Sequence, residues 1–110
     1  MEITVERDDD LKIIALDGEI QANNADDVRD QVINLIDKKP TIISMKKCRY
    51  VSSAGLRALL MIAKTAKSRG VKVVYAATIE EVLDIFKMTG FIKMLKCVDT
   101  VADAEKELRG

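Results

Sequence analysis

The chain has 110 residues, of which 48% are hydrophobic and 33% are charged, and its 18 acidic and 18 basic side chains give a formal net charge of zero. This length and composition predict one soluble globular domain, spanning residues 1–110, whose core needs no metal or disulfide to be stable. The balanced charge lacks the basic excess of a nucleic-acid-binding domain, and no apolar run approaches the roughly 20 residues that cross a bilayer.

The absence of histidine and the spacing of the two cysteines exclude several classes of enzyme. The sequence contains no histidine, which removes Ser-His-Asp and Cys-His nucleophiles and any histidine-bearing metal site. Cys48 and Cys97 lie far apart and outside any CxxC pattern, so we expect two buried thiols in a reducing compartment. The acidic amino terminus, MEITVERDDD, is not typical of a secretory signal. We therefore predict a cytoplasmic protein without a cofactor or a metal site.

Two strands open the chain. Ile3–Val5 alternates weakly between apolar and polar residues and predicts a short strand, and Asp8–Asp10 is typical of a hairpin turn. The β-branched apolar run Leu11–Leu16 predicts the second strand, which Asp17 and Gly18 should close. Because a tight turn joins the two strands, we expect the first to run antiparallel to the second.

A helix and a third strand follow. Asn23 and Asn24 are predicted to cap the helix, and Pro40 ends the segment. A strand then begins at Thr41, and its apolar start is typical of a short, buried, central strand. The apolar positions of the helix, spaced mainly by three and four, are Ala25, Val28, Val32, Leu35 and Ile36.

The second half of the chain alternates helices with strands. Gly70, Thr89 and Gly90 are predicted to end two helices, and Thr100 is predicted to cap the last one. The predicted elements are a helix over 54–69, a strand over 71–76, a helix over 79–88, a strand over 95–98 and a helix over 101–108.

This order of elements predicts an α/β fold. Helices that alternate with strands imply right-handed crossovers and a mixed, mostly parallel sheet of about four to five strands, accompanied by about four helices. Only the first strand should be antiparallel to its neighbour.

The junction YVSSAGLRALL places two hydroxyls, Ser52 and Ser53, between a strand and a helix. The amino terminus of a helix presents unpaired N–H groups and about half a unit of positive charge, so it accommodates an anion. One side-chain oxygen is enough to cap the helix, and Ser52 is the more suitable cap, although the two roles could be exchanged. The other hydroxyl is either a filler in the loop or an exposed group that accepts a phosphoryl group.

Three short segments resemble one family. Ser52–Leu56 is similar to the D-S-S-G-L signature that opens a helix in STAS domains, in particular those of the bacterial anti-sigma factor antagonists. Leu16–Ile20 resembles the family's L-x-G-E-L segment, and Phe86–Phe91 resembles its F-x-x-x-G-[LF] segment. Each pattern is weak by itself, but the three occur in the right order, and the resemblance covers essentially the whole chain.

The resemblance implies a STAS-like single domain with a regulatory function and no catalysis. An antagonist of this family binds an anti-sigma factor that is itself a serine kinase, and so releases a sigma factor. Phosphorylation at the position of Ser53 then switches the antagonist off. The implied partners are this kinase and, as a further candidate, a phosphoserine phosphatase. The implied partner-binding residues are Gln21, Ser52, Ser53, Gly55 and Arg57.

Several of the candidate contacts have structural alternatives. Gly55 either lets the partner's backbone approach closely or relieves crowding in the first turn of the helix. Arg57 either pairs with a carboxylate of the partner or is solvated. Large apolar residues are also candidates for exposed contacts, although methionine at helical spacing usually belongs to a core, so most of them should be buried. They are Met45, Tyr50, Met61, Met88 and Met94.

Three positions depart from the family's pattern. Gln21, Ser44 at the predicted end of the third strand, and Ser52 are neutral where the family often carries aspartate. If those aspartates orient the hydroxyl or bind the kinase, phosphorylation of this chain is slower, is absent or uses a different kinase. Fewer negative neighbours would also make a phosphate on Ser53 easier to tolerate.

Two other functions remain open. One is a STAS-type ligand- or nucleotide-sensing module without phosphorylation, which the neutral helix terminus favours, although the sequence has no glycine-rich phosphate cradle. The other is a redox or phosphocarrier enzyme that uses Cys48. The cationic neighbours of Cys48 at positions 46, 47 and 49 would lower its pKa, but they supply no base and no resolving thiol.

Overall fold

A computed structural model describes residues 1–8 and 10–110 of the chain. Strands and helices alternate after an opening hairpin, in the order that the sequence predicts. The elements of the described residues are β1 (Glu2–Arg7), β2 (Lys12–Ile20), α1 (Ala25–Leu35), β3 (Thr41–Val51), α2 (Ser53–Ser68), β4 (Val73–Ala76), α3 (Glu80–Thr89), a short 3-10 turn (Phe91–Lys93), β5 (Cys97–Val98) and α4 (Val101–Arg109).

The strands form one mixed sheet in the order β1-β2-β3-β4-β5. β1 runs antiparallel to β2, and each later pair of neighbours is parallel. The predicted fold class is therefore confirmed. The predicted turn at 8–10 includes residue 9, which lies outside the described residues, but the pairing of Arg7 with Lys12 confirms the hairpin.

The sheet separates two apolar cores, because neighbouring side chains of a strand point to opposite faces. On β3, Ile43 belongs to the larger core beneath α1, α2 and α3, whereas Ile42 belongs to a smaller core covered by α4. Both isoleucine side chains are fully buried. Three helices therefore share one face of the sheet, and α4 packs on the other.

Strands β2 and β3 are longer than the sequence predicts. Asp17 and Gly18 do not close β2, because the pairing register with β3 shifts twice around them and pairing then continues to Ile20. Such irregularities keep a strand paired across a residue of unusual backbone, here Gly18 with a φ of 137°. β3 runs for 11 residues to Val51. The added length brings both strands to the same end of the sheet, where the serine pair begins.

The helix boundaries agree with the predicted ones to within a few residues. Gly90 ends α3 in the left-handed conformation, with a φ of 79°, as expected for a glycine that follows a helix. The Oγ1 of Thr100 accepts a hydrogen bond of 3.0 Å from the N–H of Asp103, which confirms the predicted cap of α4. β4 begins only at Val73, and the last strand contains only two residues.

Candidate functional site

Ser52 is the cap of α2. Its backbone is extended, and its Oγ accepts a hydrogen bond of 3.1 Å from the N–H of Gly55. The N–H of Ser52 donates to the carbonyl of Ile20 at 2.8 Å, so the cap is also attached to the end of β2. The hydroxyl of Ser52 is thus engaged in the structure of the helix, as the sequence predicted.

Ser53 is the first residue of α2, and its side chain is exposed to solvent. Within the described residues, its hydroxyl makes no hydrogen bond, in contrast to the hydroxyl of Ser52. The two adjacent serines therefore have different environments. One hydroxyl completes the helix, and the other remains accessible to a reagent or a partner.

The electrostatic environment of Ser53 suits an added negative charge. The first turn of α2 contains no acidic residue, so the positive end of the helix is not neutralised from within that turn. Arg57 is exposed and lies four residues after Ser53, which places both side chains on the same face of the helix. An anion on Ser53 would meet unpaired N–H groups and one nearby cation.

Gln21 lies beside the serine pair. Ile20 pairs with Val51 across two parallel strands, so the residues that follow them, Gln21 and Ser52, leave the sheet next to each other. The side chain of Gln21 is exposed, and its Nε2 donates to Glu19 Oε1 at 2.8 Å. The structure therefore brings Gln21, Ser52 and Ser53 together at one end of the sheet.

Asn24 does not cap α1 with its side chain, contrary to the prediction. Its Oδ1 instead accepts from the N–H of Gln21 at 2.7 Å, and its Nδ2 donates to the carbonyl of Glu19 at 2.9 Å. The amide is used to fix the turn that precedes the helix, and α1 has no side-chain cap. This turn holds Gln21 in place beside α2.

Gly55 serves the packing of the chain itself. It is buried, and a Cβ atom at this position would lie 2.8 Å from Ile20 Cγ2 and 2.9 Å from Val51 Cγ1. The interpretation that Gly55 lets a partner's backbone approach is therefore wrong, because the side of Gly55 that lacks a Cβ atom packs against the ends of β2 and β3. The alternative, relief of crowding in the first turn, is the correct one. Leu56 is 3% exposed and belongs to the core, as expected.

Ser44 is not part of this site. It lies in the interior of β3, between Ala15 of β2 and Ala76 of β4, and not at the end of the strand where the sequence placed it. The prediction failed because β3 continues for seven residues beyond Ser44, to Val51. Of the three neutral positions, only Gln21 and Ser52 adjoin Ser53.

The pKa values of the two thiols are both raised. Burial raises the pKa of Cys48 to about 11, and this effect outweighs the opposing influence of Arg49. Burial also raises the pKa of Cys97 to about 11. Both groups are protonated at neutral pH, because the expected lowering of the pKa of Cys48 by a cationic neighbour, here Arg49, is smaller than the effect of burial. A redox or phosphocarrier function of Cys48 loses its chemical basis.

Most of the large apolar candidates are exposed, contrary to the expectation. Only Met45 is fully buried, whereas Tyr50, Met61, Met88 and Met94 are 42%, 46%, 87% and 52% exposed. Met61 lies four residues after Arg57, so Ser53, Arg57 and Met61 form one outward stripe of α2, which we call the α2 stripe. The helical period of the sequence contains this stripe, but the sequence interpretation assigned methionine to the core by residue type.

Comparisons with known proteins were consistent with this geometry. The family model described as the STAS domain matches residues 2–104. BtrV of Bordetella bronchiseptica, a proposed anti-sigma factor antagonist, is 26% identical over 96 residues, which cover 86% of this chain and 83% of BtrV. No helix of the described residues combines the length and the apolar character needed to span a bilayer.

Two solved structures share the architecture. A proposed anti-sigma factor antagonist from Thermotoga maritima has a TM-score of 0.87 at 21% identity, covering 98% of this chain and 95% of that one. SpoIIAA, an anti-sigma factor antagonist solved in its unphosphorylated form, has a TM-score of 0.77 at 16% identity, covering 99% of this chain and 97% of that one. At these identities the likeness establishes a common fold.

Proposed function

The chain belongs to the STAS domain family, and from this premise we propose that it is an anti-sigma factor antagonist that phosphorylation of Ser53 switches off. In its unmodified form it binds an anti-sigma factor with serine kinase activity, and a sigma factor is released. The protein is then a substrate of the kinase and not an enzyme. This function places it in the cytoplasm, where sigma factors act, with a phosphoserine phosphatase as a candidate partner that resets it.

The different environments of the two serines carry this proposal. A phosphoacceptor must present its oxygen to another protein, and Ser53 is exposed while the hydroxyl of Ser52 is bonded within the helix cap. The names of the relatives add independent support. BtrV is a proposed anti-sigma factor antagonist, and SpoIIAA is described in an unphosphorylated form.

The contact surface of the proposal is the α2 stripe together with Gln21. The stripe combines a hydroxyl, a cation and an apolar side chain, all exposed on one face of the helix. Arg57 offers an ion pair to a carboxylate of the partner, and Met61 offers an adaptable apolar contact. Gly55 acts only indirectly, by letting α2 pack closely against Ile20 and Val51.

In the modification step the kinase transfers the γ-phosphoryl group of ATP to the Oγ of Ser53. The Oγ–P bond forms, the bond to the leaving ADP breaks, and the hydroxyl proton passes to a base of the kinase. The new group carries about −1.5 to −2 charges. A hundredfold loss of affinity requires only about 2.8 kcal/mol, which an uncompensated charge in a contact surface can supply.

The free protein tolerates the same charge. The positive end of α2 and Arg57 both favour a phosphate on Ser53, and neither Gln21 nor Ser52 repels it. Phosphorylation therefore opposes the complex without opposing the fold. Because the neutral residues remove negative charge from this surface, the kinase must recognise it by contacts other than those that aspartates at these positions would make.

The test is a phosphorylation assay with a candidate anti-sigma factor kinase from the same organism. The wild-type chain is incubated with ATP and the kinase, and the phosphate is located by mass spectrometry. We expect it on Ser53, no transfer to S53A, and transfer to S52A, in which the acceptor is intact. Unchanged transfer to S53A would assign the phosphate to another residue and contradict the proposal.

A further inference from the structure

A groove lies at the other end of α2, between the carboxyl end of this helix, the start of β4 and the end of α4. Its volume is about 500 Å³, which is within the range of small-molecule sites in proteins. The floor is apolar and includes Ala63, Val71, Val73 and Leu108, while Met94 forms a partly exposed wall. Methionine adapts its shape to irregular apolar ligands. We call this feature the lysine groove because of its rim.

The rim of the lysine groove carries an excess of positive charge. Lys67, Lys72 and Lys96 line it, with Glu107 as the acidic residue of the lining. Glu107 is paired with Lys96 at 2.8 Å, whereas Lys67 and Lys72 have no ion-pair partner among the described residues. An adjoining hollow of about 340 Å³ shares Ala63, Lys67 and Met94 and adds two more lysines, at positions 64 and 93.

The chemistry of the lining selects among ligands. Among the described residues, those that line the groove include no aromatic, hydroxyl or amide side chain, so they offer a nucleotide base or a sugar neither a stacking partner nor directional side-chain hydrogen bonds. The lining offers apolar surface and ammonium groups, which match a ligand with an extended apolar body and one anionic head. This selection differs from that of the amino end of α2, where the exposed groups are small and polar.

We propose that the lysine groove binds a medium-chain fatty acid such as laurate. The alkyl chain lies on the apolar floor between Ala63 and Leu108, and the carboxylate is held by Lys67 and Lys72. At 1.5 Å per residue, the 14 positions from Ser53 to Lys67 correspond to roughly 21 Å along α2. The lysine groove is thus a second site, separate from the phosphorylation surface, and it requires neither the kinase nor the phosphate.

The test measures binding of laurate to the full chain by titration calorimetry, below the critical micelle concentration. We expect saturable binding of one laurate per chain, with no saturable binding of acetate, which lacks the chain, or of dodecyltrimethylammonium, which reverses the charge. The double variant K67Q/K72Q should bind laurate roughly fivefold more weakly, from the loss of two exposed charge interactions. The matched control K46Q/K47Q removes two exposed lysines of β3 and should bind as the wild type does.

A second variant tests the floor of the groove independently of charge. A63F places a bulky ring where both hollows meet, and it should abolish laurate binding while the unfolding midpoint in urea stays close to that of the wild type. If A63F does not fold, the lysine pair still decides the question.

Three outcomes would overturn the proposal. Equal binding of laurate and dodecyltrimethylammonium would show nonspecific detergent binding. An equal loss of laurate affinity in K67Q/K72Q and in K46Q/K47Q would show a general charge effect. If laurate does not bind saturably and the protein sediments with phosphatidylglycerol vesicles, the lysines belong to a membrane-binding surface. None of these results bears on phosphorylation of Ser53, so the two proposals stand or fall separately.

Discussion

The two ends of helix α2 present surfaces that are built in different ways. At the amino end, the α2 stripe and the serine cap come from consecutive turns of one helix. Gln21, which follows the end of β2, is the one residue of this surface that comes from another segment. At the carboxyl end, the lysine groove combines residues of α2, β4, the segment around residue 94, and α4. A site made from one local segment is visible as a sequence motif, whereas a site assembled by the fold is not.

The packing of Gly55 should produce the largest effect on stability. In G55V, the added Cβ atom alone would lie too close to Ile20 and Val51, which are buried in the core. We expect a loss of about 3 kcal/mol in the free energy of unfolding, measured with urea. R57V is the control, because it puts the same side chain on the exposed face of α2, where it should cost only about 0.5 kcal/mol. Equal losses in both variants would show that the tight packing has no energetic weight.

A negative charge introduced at the amino end of α2 should weaken binding of the anti-sigma factor, whereas the same charge at the carboxyl end should not. S53D should weaken binding of the anti-sigma factor about a hundredfold, equivalent to about 2.8 kcal/mol, because the carboxylate enters the contact surface. S68D places the same charge at the exposed far end of the helix and should leave the affinity unchanged. Calorimetric titration of both variants measures the difference. Intact binding of S53D would contradict repulsion as the mechanism.

The two adjacent serines should differ in their contribution to stability. S52A removes the oxygen that accepts from the N–H of Gly55, and we expect a loss of about 1 kcal/mol in the free energy of unfolding. S53A removes an exposed hydroxyl that has no hydrogen bond among the described residues, and its effect should stay within about 0.5 kcal/mol. Urea unfolding of both variants makes the comparison. The reverse order would mean that Ser53 is the cap.

The sequence predicted the features of this fold that depend on local patterns. The order of helices and strands along the chain, the antiparallel first strand and the caps at Ser52 and Thr100 follow from apolar periodicity and turn chemistry, whereas Gln21 was indicated only by the family resemblance. Features that depend on tertiary packing were missed. The sequence left two roles open for Gly55 and did not indicate its close packing against Ile20 and Val51, and it did not indicate that burial outweighs the nearby cations in setting the pKa of Cys48.

The lysine groove illustrates the same limit on a larger scale. Its apolar floor and its rim come from segments around residues 63–74, 94–96 and 107–108, which only the complete fold brings together. In the sequence these lysines are interspersed with apolar residues at intervals that are typical of ordinary surface helices and strands. The balanced net charge therefore concealed a local positive surface.

Single cations at the two ends of α2 should separate the two proposed functions. R57Q removes the exposed cation of the α2 stripe and should weaken binding of the anti-sigma factor about threefold, since an exposed ion pair contributes about 0.6 kcal/mol. K67Q should leave that affinity unchanged but weaken laurate binding about twofold, and R57Q should leave laurate binding unchanged. Both ligands are titrated against both variants at the same ionic strength. If either variant weakens the binding of both the anti-sigma factor and laurate, the two ends of α2 belong to one continuous surface, and the proposal of two separate sites is wrong.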